Sequence, residues 1–458
     1  MTRPLWTGAL LVVALSLAAR CSGAFKEIVL ANVVGTSALA DQFAFAFAVA
    51  TWPAALMMSV LTITLTPLLA QDQISSAANS ADSSHPSSPA PGQTRDRDPG
   101  LRHFSAQLVL VSTAFALLVA VLVWLGYPLL APASHTNTAT SANFALAAAG
   151  LGAVSLMAAV YTVLLMGRGQ QIGTLLEGLP SLVLALLLLG LALVPNASVL
   201  TVLLWAPLLG AALQLALLVV ARRRSSGPLP LSLPLVGAQG SLAAVSWRQL
   251  AMGAGYTVAG YAVMSTAPMF ELASAGRFEE GSVASLGYAS RVTALVAGLM
   301  VTVINRVAIT HFCQPGANWR RVTLMFSGAA LLVSVALALC AEPIVALLYQ
   351  HGEFTAQAAH VVSGLMRWHL SQLGPCVASV MLCAYLAAHG RMREIFVACL
   401  LCFAGRVLCA SVGAAHWGLS AVASAATAGY LAQLVYLLFV MLAPNARSTL
   451  VSAKGATP

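Results

Sequence analysis

The sequence predicts an all-α polytopic membrane protein of about twelve transmembrane helices, arranged as two six-helix lobes around a central cavity. Three observations carry this expectation. The 458 residues are 59% hydrophobic and only 8% charged, with a mean hydropathy of +0.88, well outside the range of a soluble globule. Apolar runs of about twenty residues, enough to cross a hydrocarbon core, recur about twelve times with short polar connectors. A Ser/Pro/Gly-rich stretch near the middle divides them into two equal sets.

Span 1 covers about residues 5–24 and begins after Arg3. Its start resembles a signal peptide ahead of Cys21, but Arg20 is wrong for a small-residue cleavage site, so the run is expected to remain as a helix. Ser22-Gly23 at its end, and Pro53 and Pro67 within span 2 (about 40–70), predict local breaks of the kind that border cavities. Residues 71–103 are rich in Ser, Ala, Pro and Asp and lack an apolar period, which predicts a disordered cytoplasmic loop. Spans 3 (104–130) and 4 (142–166) follow, then a one-turn connector holding Arg168. Spans 5 (172–194) and 6 (198–221) close the first half on Arg222-Arg223-Arg224.

Residues 1–224 thus form an N-terminal lobe, 225–247 a cytoplasmic linker, 248–443 a C-terminal lobe and 444–458 a cytoplasmic tail. Span 7 (249–271) begins after Arg248, and an acidic turn from Glu271 to Gly281 leads to span 8 (283–308). Spans 9 (322–348), 10 (357–388), 11 (394–414) and 12 (418–442) complete the set. The end of span 4, Tyr161 to Arg168, matches the end of span 10, Tyr385 to Arg391, which suggests that the lobes repeat one another in parallel orientation.

A net charge of +9 would suit nucleic acid if it formed one stripe, but the basic residues instead recur at every second connector. That alternation places both termini in the cytoplasm and leaves nucleic acid without a binding face. The eight cysteines lie mostly within apolar runs, and Cys399-x-x-Cys402 has neither a second pair nor nearby His ligands. They read as small buried residues, so no metal and no cofactor is expected. His351, His360, His369 and His389 are scattered along and beside span 10 and read as isolated polar contacts rather than a proton relay.

Candidate functional residues are the charges inside the spans. A cation at the bilayer centre costs roughly 2.5–3.5 kcal/mol on insertion scales, so it faces water or a partner. At 1.5 Å per residue, Arg20 lies roughly 22 Å from the inner face and Arg291 roughly 12 Å below the outer face. Those are similar depths in a core about 30 Å thick, with one arginine in each lobe. Lys26 and Asp41 share that outer zone and are placed to form a salt bridge. Arg367, Arg406 and Glu177 are candidate further cavity charges, and Glu177 in span 5 is one candidate carboxylate to neutralise the two arginines. An excess of cations suits a polyanion: arginine offers a planar fork to phosphate oxygens and lysine a compact charge.

Four stretches carry a family resemblance: Phe25 to Val29 with Ala40-Asp41-Gln42-Phe43, Gly281 to Arg291, Ala341-Glu342-Pro343, and Tyr349-Gln350-His351-Gly352-Glu353-Phe354-Thr355-Ala356. With these, the chain resembles the MviN/MurJ-type lipid II flippases of the multidrug/oligosaccharidyl-lipid/polysaccharide exporter superfamily, from span 1 to span 12. The resemblance implies a two-lobed fold alternating between inward-open and outward-open states, which moves a polyprenyl-diphosphate-linked saccharide to the outer leaflet. It implies diphosphate contacts at Arg20, Lys26 and Arg291, and a gating or salt-bridge role for Asp41. Three departures stand out. Span 2 has Thr51-Trp52-Pro53-Ala54-Ala55 where the family often has basic residues, Ser290 precedes Arg291 where the family has Asp, and two C-terminal spans of the lipid II type are missing.

No Gly-rich phosphate-binding loop is present, so transport is expected to draw on the membrane potential or an ion gradient. The expected partners are the lipid-linked glycan and membrane lipids, with the protein acting as a monomer. A drug or organic-cation antiporter of the same superfamily would need buried carboxylates rather than arginines. A non-transporting envelope-assembly scaffold would need every buried cation paired. A glycosyltransferase or ligase would need a sizeable outer loop bearing catalytic groups, and the outer connectors here are short.

Overall fold

The computed structural model describes residues 5–82, 99–130, 138–166, 170, 172–191, 198–226, 247–312, 318–389 and 391–442. The described residues are helical throughout their ordered elements, with no strands among them. In the first half these are α1 (Leu5–Val34), α2 (Ala38–Asp82), α3 (Pro99–Leu130), α4 (Thr138–Met166), α5 (Ile172–Leu176), α6 (Leu179–Gly190) and α7 (Val199–Ser226). In the second half they are α8 (Trp247–Ala275), α9 (Ser282–Phe312), α10 (Trp319–Leu339), α11 (Ala341–Tyr349), α12 (Ala356–Leu370), α13 (Leu373–Ala388), α14 (Met392–Val412), α15 (Ala414–Trp417) and α16 (Leu419–Leu442).

Among the described residues, each expected span is represented by helix. Spans 5, 9 and 10 are each divided in two, as α5/α6, α10/α11 and α12/α13. Among the described residues, 10 segments are long and apolar enough to cross a membrane. The two remaining expected spans lie on α1 and α8, helices of 30 and 29 residues. The chain is an all-α polytopic membrane protein.

Two local expectations are corrected. The stretch 71–103 is not disordered at its ends, because α2 continues to Asp82 and α3 already begins at Pro99; its middle, 83–98, lies outside the described residues. Nor does α1 break at Ser22-Gly23, and α2 is helical through Pro53 and Pro67. The Ser22 hydroxyl bonds back to the Ala19 carbonyl at 2.7 Å, within its own helix, and lies 3.0 Å from the Gly178 carbonyl. The discontinuity falls in span 5 instead, at Glu177-Gly178. There Pro180, with no amide to donate, sits in the first turn where α6 restarts.

The chain divides into two compact units. One contains Met1–Val29, Ala46–Ala131 and Thr136–Gly255; the other contains Leu30–Phe45 and, after Gly255, the described residues of Tyr256–Pro458. In the first unit α4 is the central helix, with 61% of its most apolar window buried, whereas α3 has 22% buried and turns Leu117, Leu118, Leu122 and Leu125 outward, as a lipid-facing helix does. Leu156, Val160, Val163 and Leu164 of α4 pack against Leu108, Ala116 and Val119 of α3 and Ala54 of α2. In the second unit the α12–α13 pair is central, again 61% buried. Val377, Met381 and Ala384 of α13 pack on Phe312 and Ala330, and Leu382 and Leu386 pack on Ala398 and Leu437.

Candidate functional site

The hairpin between α1 and α2 turns over Gly35-Thr36-Ser37, and its tip, Leu30–Phe45, belongs to the second unit. Asp41 lies in the first turn of α2 and is buried. Its carboxylate accepts from the backbone N–H of Gly281 at 2.8 Å and from that of Ala284 at 2.7 Å. Both amides belong to the start of α9, where a helix has donors with no partner of its own. Asp41 therefore caps a helix that begins about 240 residues later in the chain. The exchange is reciprocal: the Ala38 N–H, which opens α2, donates to the Glu280 carboxylate at 2.8 Å. Each helix start receives a carboxylate from the other, in short charge-assisted bonds aligned with the helix dipole.

The Gly-Glu-Phe-Thr block completes this clasp one residue at a time. Gly352 holds φ +58 with the Asn32 side-chain amide oxygen and backbone carbonyl crowding the place of a Cβ, a position only glycine fills without strain. The Glu353 N–H then donates to the Asn32 carbonyl at 3.0 Å. Phe354 is buried beside Tyr288 and Tyr349, with ring centroids 5.7 and 5.8 Å away. The Tyr288 hydroxyl donates to the Gly35 carbonyl at 3.0 Å. Thr355 caps α12, accepting from the Ala358 N–H at 3.1 Å. This block is one of the stretches that carry the family resemblance, and in the structure it grips the hairpin tip.

The structure leaves some of the predicted site residues exposed and buries others. Arg20 is exposed in the first unit, fifteen residues after Leu5, which is roughly 22 Å along α1. Glu177, also exposed, stands at the α5/α6 break within electrostatic reach of Arg20. Arg291 is exposed in the second unit, nine residues after Ser282, roughly 14 Å along α9. Lys26 is buried, with its ammonium 2.9 Å from the Glu27 carboxylate and 4.0 Å from the centroid of the Phe47 ring. Where the sequence paired Lys26 with Asp41, the structure places Glu27 beside the lysine and backbone amides around the aspartate.

Arg367 and Arg406 find carboxylates other than the expected Glu177. Arg367 is exposed, 3.6 Å from Glu342, and its Nε donates to the Ala338 carbonyl at 3.3 Å. Arg406 is buried 3.3 Å from Glu271. Glu271 was read as the start of an outer turn, but α8 runs on to Ala275 and carries it inside a helix. Arg20, Glu177, Arg291 and Arg367 are thus the exposed members of the predicted set, and a charge within an apolar helix is tolerated where water reaches it.

No curated protein sequence matches this chain. Among solved structures, a lipid II flippase MurJ in an inward closed conformation aligns with a TM-score of 0.75 and 14% identity, over 95% of this chain and 88% of that one. A multidrug resistance MATE family transporter of the MOP superfamily, inward-facing, aligns at TM-score 0.66 and 12% identity, over 98% of this chain and 100% of the other. A MOP superfamily transporter from Pyrococcus furiosus, described as having a binding pocket of reversed polarity, aligns at TM-score 0.60 and 14% identity, over 98% and 96%. At these identities the likenesses establish the fold. The family model for the lipid II flippase MurJ matches residues 30–452, nearly the whole sequence, and the chain therefore belongs to the MurJ lipid II flippase family.

Proposed function

We propose that this chain is a flippase that moves a polyprenyl-diphosphate-linked saccharide from the inner to the outer leaflet by alternating access. The observation that carries this reading is that Arg20 and Arg291 are both exposed within long apolar helices, where a cation is tolerated in a wet, polar environment. Each offers a diphosphate a bidentate fork. Lys26, buried against Glu27 on the same helix, stands as a further diphosphate contact once that pair opens. The polyprenyl tail stays in lipid while the head crosses. With both termini cytoplasmic and the interior negative, the membrane potential favours outward movement of the anionic head by roughly 2.3 kcal/mol per charge per 100 mV. Release of the hairpin tip by Asp41, Glu280 and the Gly352 turn is the step that opens the outer face.

An antiporter of organic cations would share this fold but would need exposed carboxylates where the arginines stand. The test is a leaflet-accessibility assay in proteoliposomes with a polyprenyl-diphosphate saccharide. Arg291→Ala should reduce transport at least tenfold while insertion and thermal stability are retained. Undiminished transport by that variant would remove the diphosphate site, and wild-type protein that moves no such lipid would remove the function.

A further inference from the structure

The described residues bury three carboxylates: Glu27, Asp41 and Glu271. Glu27 faces Lys26 and Asp41 faces two backbone amides. Glu271 is different, because its neutralising charge comes from a separate transmembrane helix deep within the second unit. Its Oε1 lies 3.3 Å from Arg406 Nη1, and the two side chains are 9% and 8% exposed. The guanidinium stands over Tyr430 of α16, 5.3 Å from the ring centroid. Room for it is cut by Gly429, whose missing side chain would occupy the place of Arg406 Cγ. Gly405 meets the backbone of Gly429, so α14 and α16 cross in direct contact at this point.

The titratable groups within electrostatic reach of Arg406 are Glu271 on α8, Cys402 on its own helix, His369 on α12, Cys376 on α13 and Tyr430 on α16. Glu271 is the one carboxylate in that set, so among the described residues the charge balance here is one against one. A lone buried carboxylate in such a place would have to take up a small cation or a proton, because leaving it uncompensated costs several kcal/mol. In this chain the compensating charge is tethered and cannot leave.

We propose that Arg406 is a resident cation at Glu271: the acidic site inside the second unit is filled by the chain itself, needs no exchangeable monovalent cation or proton, and becomes a site for Na+ or H+ once Arg406 is removed. The inference leans on the flippase reading only in its transport arm, and its stability arm stands without it.

The experiment is thermal unfolding of the purified full-length protein in NaCl and in choline chloride of equal ionic strength, at pH 6 and pH 8. The wild type should unfold at the same temperature in both salts. Arg406→Met should unfold at a lower temperature and regain about 2 °C or more in Na+ or at pH 6, with a saturating dose response. Arg406→Met combined with Glu271→Gln should lose that response, and should be more stable than Arg406→Met alone because neither charge is left stranded. If Arg406→Met does not fold, recovery of expression in the double variant takes its place as the deciding measurement. In proteoliposomes at fixed membrane potential, wild-type transport should be equal in Na+ and choline. A wild-type response to Na+ in either arm, an Arg406→Met variant indifferent to both Na+ and pH, or a double variant no better than the single one would each overturn the proposal. Absence of transport in every condition would count against the flippase function and leave the stability arm to decide this one.

Discussion

Replacing Asp41 by alanine removes both acceptors at the start of α9, and its effect can be worked out from the two bonds. They are 2.8 and 2.7 Å long, buried, and made by a charged group, a class worth roughly 1.5–3 kcal/mol each. Their loss also leaves the Gly281 and Ala284 amides without a protein acceptor. We expect about 3–5 kcal/mol less free energy holding the first turn of α9 to the hairpin tip, which by RT ln 10 of about 1.4 kcal/mol means local opening favoured by a factor of roughly 10² to 4 × 10³. Asp41→Asn keeps an oxygen but not the charge and should lie between wild type and alanine. Hydrogen exchange read by mass spectrometry on a peptide covering residues 278–290, with protein in nanodiscs, measures this directly. Protection at Gly281 and Ala284 that is unchanged in the alanine variant would refute the capping argument, whatever happens to transport.

The other predictions concern the turn that grips the tip and the surface ion pair. Gly352→Ala places a side chain at φ +58 against the Asn32 carbonyl and should cost roughly 1–3 kcal/mol, visible as a lower Tm and faster exchange across residues 349–358. Arg367→Ala should change stability by no more than about 1 kcal/mol, because its pair with Glu342 is long and solvent-screened, with side chains 45% and 59% exposed. A Tm loss comparable to that of Asp41→Ala would show that this pair is held more tightly than its geometry indicates.

The helical architecture was legible because hydrophobic length is a one-dimensional property, and a run of twenty apolar residues has few alternatives. Breaks were harder. Ser22-Gly23 had the composition of a kink, yet the serine hydroxyl is satisfied by its own helix and by Gly178, so the discontinuity passes to the neighbouring span. Charges were legible as exceptions but not as pairs. Ending span 7 at about residue 271 put Glu271 at a boundary, whereas the longer α8 carries it inside to meet Arg406, about 135 positions later. No local signal joins such residues. The same holds for Asp41, which the sequence paired with Lys26 and which instead caps α9, a helix that starts about 240 residues later. Gly352 to Thr355 stood out because four consecutive residues each have a distinct backbone or packing duty, which leaves little freedom of composition.

The seating of residues 30–45 in the second unit also sets an order of events during synthesis. The hairpin tip emerges first, but the amides and rings that receive it lie some 240 to 250 residues downstream. At about 5–20 residues per second, the tip waits roughly 12–50 s at the membrane surface before its socket has been made. During that interval its carboxylate and turn must be kept in water and away from rival segments, so the clasp closes only after a segment far downstream has been made.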